Sequence, residues 1–145
     1  MSDFEKLPDY SSFLDHWTFR MIVCGDRDWT DDDGIARYLD KKLVRYGNGL
    51  LVIQGDARGA DNIAKMWCED RQVDHMSFPA KWRIMGRAAG PIRNTRQLIW
   101  QPHLVVAFHD DFAHSKGTKD MITKARNAGF ATEVRADLPI VVERS

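Results

Sequence analysis

Four short segments concentrate residues that hold or move charge. Residues 25–28 read Gly25, Asp26, Arg27, Asp28, and residues 55–61 read "GDARGAD". Residues 81–96, "KWRIMGRAAGPIRNTR", hold Lys81, Arg83, Arg87, Arg93 and Arg96 with no acidic residue. Residues 114–118 read "HSKGT". Glycine lets backbone N–H groups approach an anion closely, and a helix that starts there adds its positive end. The arginine fork matches phosphate oxygens bidentately. The combination is a phosphate-recognition pattern, although neither "GDARGAD" nor "HSKGT" is a G-x-G-x-x-G or Walker A motif.

Each feature also has a plain structural reading. The glycines relieve tight turns, Asp61 caps a helix, and Arg58 pairs with Asp28 or Asp61. The basic run is a solvated face, and Trp82 belongs to the core. Asp26, Asp28 and residues 31–33 have the chemistry of a Mg2+ site, but helix capping accounts for the last three. No metal is required by this reading.

The elements that must position these residues alternate in type. Apolar runs at residues 19–25 ("FRMIVCG"), 50–54 ("LLVIQ"), 73–78 ("VDHMSF"), 103–108 ("HLVVAF") and 130–136 ("FATEVRA") read as strands. Ile35, Tyr38, Leu39, Leu43 and Tyr46 recur at helical spacing after a Thr30 to Asp33 capping segment, and "GNG" stops them. Ile63, Ala64, Trp67 and Cys68 form the next apolar face. "PIRNTRQLIW" suits a helix with proline in its first turn, and "KDMITKARNAG" one closed by Gly129. The segment before it, "AKWRIMGRAAG", reads as a long connection. The expected fold is α/β: a central, mainly parallel sheet of about five strands with helices on both faces, in one domain over residues 19–145. Residues 1–18 form an arm or a short helix. Ligands of such sheets bind beyond the carboxyl ends of the strands, where all four segments fall.

Composition narrows the function. The chain has 145 residues, 43% hydrophobic, enough for one full core. Lys+Arg and Asp+Glu are both 21, which argues against broad nonspecific duplex binding by phosphate neutralisation. No apolar segment spans a membrane, and the acidic N-terminus lacks a signal peptide's order, so a cytoplasmic location is expected. Cys24 and Cys68 are expected as buried free thiols, and the five histidines are too scattered for zinc.

At these residues the sequence resembles a known family. "MIVCGDRDWTD", "VIQGDARGADNIA", "FPAKWRIMGRAAGPIRN" and "LVVAFHDDFAHSKGTKDMITKARNAG" occur in the order seen in the YspA-like, YpsA-related branch of the SLOG superfamily. That superfamily includes the LOG phosphoribohydrolases and the DNA-processing protein DprA. The likeness covers residues 19–134, and "GxARGAD" with "AGPIRN" is its most specific part. It implies a Rossmann-like three-layer fold binding a nucleotide or nucleotide-derived ligand. Gly25, Arg27, Asp28, Gly55, Gly59 and Ala60 would then shape or contact it. Gly90, Pro91 and Asn94 join them from "AGPIRN". Arg58, Arg93 and Lys116 would neutralise phosphate, and Ser115, Gly117 and Thr118 would cradle it. Asp28 or Asp61 would accept from ribose hydroxyls, and Trp29 or Trp82 would stack on a base.

In LOG enzymes a "PGGxGTxxE" loop holds the phosphate and its glutamate helps cleave the base–ribose bond. Here Gly117 and Thr118 match the second half, while Met121 stands at the glutamate's position. Methionine cannot move a proton or stabilise an oxocarbenium ion. The leading expectation is therefore a binding module for a nucleotide-derived signal, as sensor or sequestering protein. An N-glycosidic hydrolase using Asp28, Asp61 or Asp120 is second, and single-stranded nucleic-acid binding as in DprA is third. Analogy with LOG relatives implies a homo-oligomer.

Overall fold

The strands owe their two-sided burial to uninterrupted apolar runs, each of which sends alternate residues to opposite faces. In the computed structural model, which describes residues 11–136, β1 is Phe19–Gly25, β2 Leu50–Gln54, β3 Asp74–Ser77, β4 Leu104–Phe108 and β5 Thr132–Arg135. All are parallel, in the order β3-β2-β1-β4-β5. Phe19 is in register with Leu50, and Gly25 with Phe108, so the charged turns after β1 and β4 emerge side by side. This is the expected three-layer Rossmann-like α/β fold. Strand ends differ from the apolar runs by a residue or two, the ordinary uncertainty of boundaries.

One face of the sheet presents Met21, Val23, Leu50, Val52, Val106 and Phe108 to α2 (Asp32–Tyr46) and α3 (Ala60–Arg71). The other presents Ile22, Cys24, Leu51, Ile53, Val105 and Ala107 to α5 (Ala89–Leu98) and α6 (Gly117–Asn127). The two cysteines are free and buried on opposite faces. α2 starts as its sequence requires: the Asp31 carboxylate accepts from the Gly34 N–H at 3.0 Å, and Asp32 and Asp33 lie in the first turn.

Two starts differ from the sequence reading. The long connection contains a four-residue helix, α4 (Trp82–Met85), and a 3-10 turn (Gly86–Ala88) that runs directly into α5 at Ala89, ahead of Pro91. α6 begins at Gly117 rather than Lys119. Neither α5 nor α6 has a capping side chain, so no residue type marks the boundary.

Residues 11–18 are tied to the sheet by Arg20. α1 (Ser11–Leu14) precedes it, and Leu14 is buried. The buried Arg20 guanidinium donates to the carbonyls of Leu14 (3.0 Å), Trp100 (3.0 Å) and Gln101 (2.9 Å). Trp17 donates its indole N–H to Asp74 at 2.9 Å. The first ten residues and the C-terminal "DLPIVVERS" lie outside the described residues. Arg20→Met leaves the buried Leu14 carbonyl and the partly buried Trp100 and Gln101 carbonyls without this donor and is expected to cost about 2–3 kcal/mol, measured by urea unfolding.

Candidate functional site

Successive crossovers carry β2 and β3 to one side of β1 and β4 and β5 to the other. A crevice opens where that order reverses. It is a cavity of about 790 Å³, within the range of small-molecule sites. Its walls are the ends of β1 and β4, the β2–α3 turn, α4 with the first turns of α5, and the start of α6. Arg58, Arg93 and Thr118, distant along the chain, all line it. So do Gly25, Arg27, Asp28, Asp61, Trp82, Gly90, Pro91, Asn94, Ser115, Lys116, Gly117 and Asp120.

Gly55, Gly59 and Ala60 do not reach the cavity; they fix its shape. A Cβ on Gly55 would stand 2.8 Å from Arg93 Cδ and 2.9 Å from Asp61 Oδ2. Gly59 has φ +77°, and its Cβ would stand 2.2 Å from the Asp26 carbonyl oxygen. Ala60 is fully buried and donates its N–H to that same oxygen at 3.1 Å. These small residues let the β2–α3 turn sit directly against the end of β1.

A relay of hydrogen bonds then joins three turns. Asp61 Oδ2 accepts from the N–H groups of Gly55 (3.0 Å) and Ala57 (3.3 Å). Burial pushes the Asp61 carboxyl up to about 6, with Arg93 and these two N–H groups opposing the rise. Arg93 donates from Nη1 to the Gly55 carbonyl (3.2 Å) and from Nε to Asn94 Oδ1 (3.3 Å). Its own pKa is lowered by burial, with Asp61 pulling the other way. Asn94 Nδ2 donates to the Gly117 carbonyl (3.2 Å) and to Asp120 Oδ2 (2.9 Å), and Lys124 Nζ lies 3.1 Å from the same carboxylate oxygen. Asp120 and the buried Met121 both line the cavity, and of the two only Asp120 carries a titratable group.

The mouth is more mixed in charge than the sequence reading implied. Arg58 and Asp28 form an exposed ion pair at 3.4 Å, a geometry that adds little stability. The Arg27 guanidinium lies 5.4 Å from the centroid of the Trp82 ring, and Trp82 is 47% exposed, so it is not core. Trp29 is buried against Phe108, 5.8 Å between centroids, and has no free face for a base. Of the basic run only Arg87 and Arg93 line the cavity. Arg27, Arg58 and Lys116 add positive charge, and Asp26, Asp28, Asp61 and Asp120 add negative. Asp31 is used on the α2 cap, and no group of three or more His, Cys, Asp or Glu among the described residues comes together to hold a metal ion.

The start of α6 has different character. The first N–H groups of a helix have no intrahelical acceptor, and here no capping side chain accepts from them in its place. A Cβ on Gly117 would meet nothing within 4 Å. Ser115 spends its hydroxyl on the Phe112 carbonyl at 2.7 Å. Cys24, Ala57, Gln97, His109 and Met121 also line the cavity, and sequence reasoning missed them. The usable signal for Gln97 was its place three residues after Asn94 on one helix face.

Comparison with known proteins agrees with this architecture. The family model described as "YspA, cpYpsA-related SLOG family" matches residues 19–84. The Gene 61 protein of Mycobacterium phage D29 is 31% identical over 125 residues, covering 83% of this chain and 98% of that protein. The chain belongs to the YspA, cpYpsA-related SLOG family. Among solved structures, DNA processing protein A (DprA) from Streptococcus pneumoniae superposes with a TM-score of 0.60 at 17% identity, over 88% of this chain and 53% of that one. This SLOG chain thus spans about half of that DprA chain, and the likeness is one of fold.

Two outcomes test the site's construction. Gly55→Ala should cost about 1–3 kcal/mol, because neither Arg93 nor Asp61 can move without breaking the relay. Gly117→Ala should change stability by less than about 0.5 kcal/mol in the same denaturation assay, since its Cβ enters open space. Asp61 supplies a pH signature. Its folded pKa, about 6, lies above its ordinary 3.8, so the folded state binds more protons between the two. Its contribution is then largest below pH 4 and falls as pH rises through 6. The stability difference between wild type and Asp61→Asn should fall across that window by on the order of 2–3 kcal/mol.

Proposed function

We propose that the cavity binds a nucleotide-derived, phosphorylated small molecule and that the protein senses or sequesters it. SLOG family membership supports a nucleotide-related or nucleic-acid-binding role. One observation carries the finer reading: the uncapped start of α6 shares the cavity wall with Lys116 and Arg93. Free N–H groups, a helix dipole and two cations favour a phosphate there. Trp82 and Arg27 offer a flat surface at the mouth for a base. The volume, about 790 Å³, suits a ligand of nucleotide size better than a long strand. Balanced charge, 21 against 21, argues the same way against nucleic acid. A relative encoded by a phage is consistent with a part in conflict between phage and host.

A second reading, cleavage of an N-glycosidic bond, draws on Asp120. Its carboxylate lines the cavity next to Asn94 and Lys124, and a carboxylate beside a phosphate clamp meets the minimum for an oxocarbenium-like transition state.

Thermal unfolding of the full chain with AMP, NAD and ADP-ribose, followed by chromatography for free base, separates the readings. Binding without turnover raises the melting temperature and leaves the ligands intact; at a hundredfold excess over Kd the gain is about 2.7 kcal/mol. Nucleosides lacking phosphate should give no shift. Gly117→Val should abolish the shift while the free protein melts as wild type. Release of base that is lost in Asp120→Asn would establish the second reading. Retention on single-stranded oligonucleotide that weakens steeply with salt would overturn the small-molecule reading.

A further inference from the structure

Among the described residues two buried side-chain atoms lack a hydrogen-bond partner, His75 Nδ1 and Gln97 Oε1. Only Gln97 lies in the cavity wall. Gln97 is 1% exposed, and the same wall holds Cys24, whose thiol is a weak donor, and Met121, whose thioether donates nothing. Asn94, one turn earlier on α5, spends its oxygen on Arg93 and its nitrogen on Gly117 and Asp120. The same helix face therefore carries one amide that is fully used and one whose acceptor waits. A buried acceptor left unpaired costs stability, and an apolar side chain of similar size would avoid that cost.

The helix direction places this acceptor deep in the cavity. α5 starts at the carboxyl edge of the sheet, where the Trp82 ring stands 3.2 Å from the position of a Cβ on Gly90. Gln97 follows Gly90 by seven residues, about 10 Å along the axis and inward. Trp82 and Gln97 line the same cavity, so a flat ring held at Trp82 would share that space with the amide. We infer that Gln97 reads the edge of the ligand's heterocycle through its buried carbonyl, so that the cavity selects an amino-bearing base, adenine or cytosine, over an oxo-bearing one. This rests on the nucleotide reading above. An amide carbonyl accepts from an exocyclic amine but meets an exocyclic oxygen with repulsion, the discrimination that glutamine makes when it pairs with adenine.

The test compares AMP with IMP, which differ at that exocyclic group, by titration calorimetry on the full chain. Wild type should bind AMP about tenfold more tightly than IMP. Gln97→Met should fold with unchanged or higher melting temperature and bind the two alike. Equal affinities in wild type, or a preference for IMP, overturn the inference while leaving nucleotide binding intact. A preference for AMP that persists in Gln97→Met overturns it too, placing the discrimination elsewhere. Binding of neither nucleotide overturns the nucleotide reading, and this inference with it.

Discussion

The site is organised by a buried carboxylate that the fold cannot leave in water. Asp61 sits at the first turn of α3, 5% exposed, and answers two N–H groups of the turn that precedes it. The turn therefore closes on its own helix, and the Gly55 carbonyl is left facing α5, where Arg93 takes it. The missing side chain at Gly55 is the condition for this: Arg93 and Asp61 occupy the space a Cβ needs. From Arg93 the contacts pass through Asn94 to the start of α6. Three turns that belong to different crossovers are thus held as one rim. A buried group of this kind stabilises only while its partners remain, so the rim forms as a unit.

That rim is polarised by position rather than by net charge. Cations and carboxylates line it in nearly equal number, but the carboxylates are largely engaged. Asp28 faces Arg58, Asp61 holds backbone N–H groups, and Asp120 faces Lys124 and Asn94. The N–H groups at the start of α6 have no such partner side chain. The cavity thus offers uncapped helix N–H groups at the start of α6 and an exposed aromatic ring, Trp82, in one lining. The same logic separates the two glycine classes: Gly25 and Gly59 bring backbones into contact, with Cβ positions 2.2 Å from a carbonyl oxygen, whereas Gly117 opens space.

Much of this was legible in the sequence because the sheet is buried on both sides. Unbroken apolar runs announced the strands, glycine and proline announced the breaks, and the strand ends then had to share one edge. What stayed hidden depended on contacts between distant segments. That Gly55, Gly59 and Ala60 stand outside the cavity lining, packed against Asp26, Asp61 and Arg93, is something no local pattern encodes. Trp29 and Trp82 look alike in sequence, yet Trp29 is covered by Phe108 and Trp82 lies on α4 at the rim. The starts of α5 and α6 were misplaced because neither carries a capping side chain. The unpaired amide oxygen of Gln97 is invisible until α5 and α6 are set side by side.

The central claim is that phosphate lodges on the first N–H groups of α6. Backbone amide shifts of the 15N-labelled full chain, titrated with AMP and separately with adenosine, test it most directly. The account predicts large downfield movement at Gly117, Thr118 and Lys119 with AMP and little there with adenosine. AMP that perturbs other amides while leaving those three unmoved would contradict it.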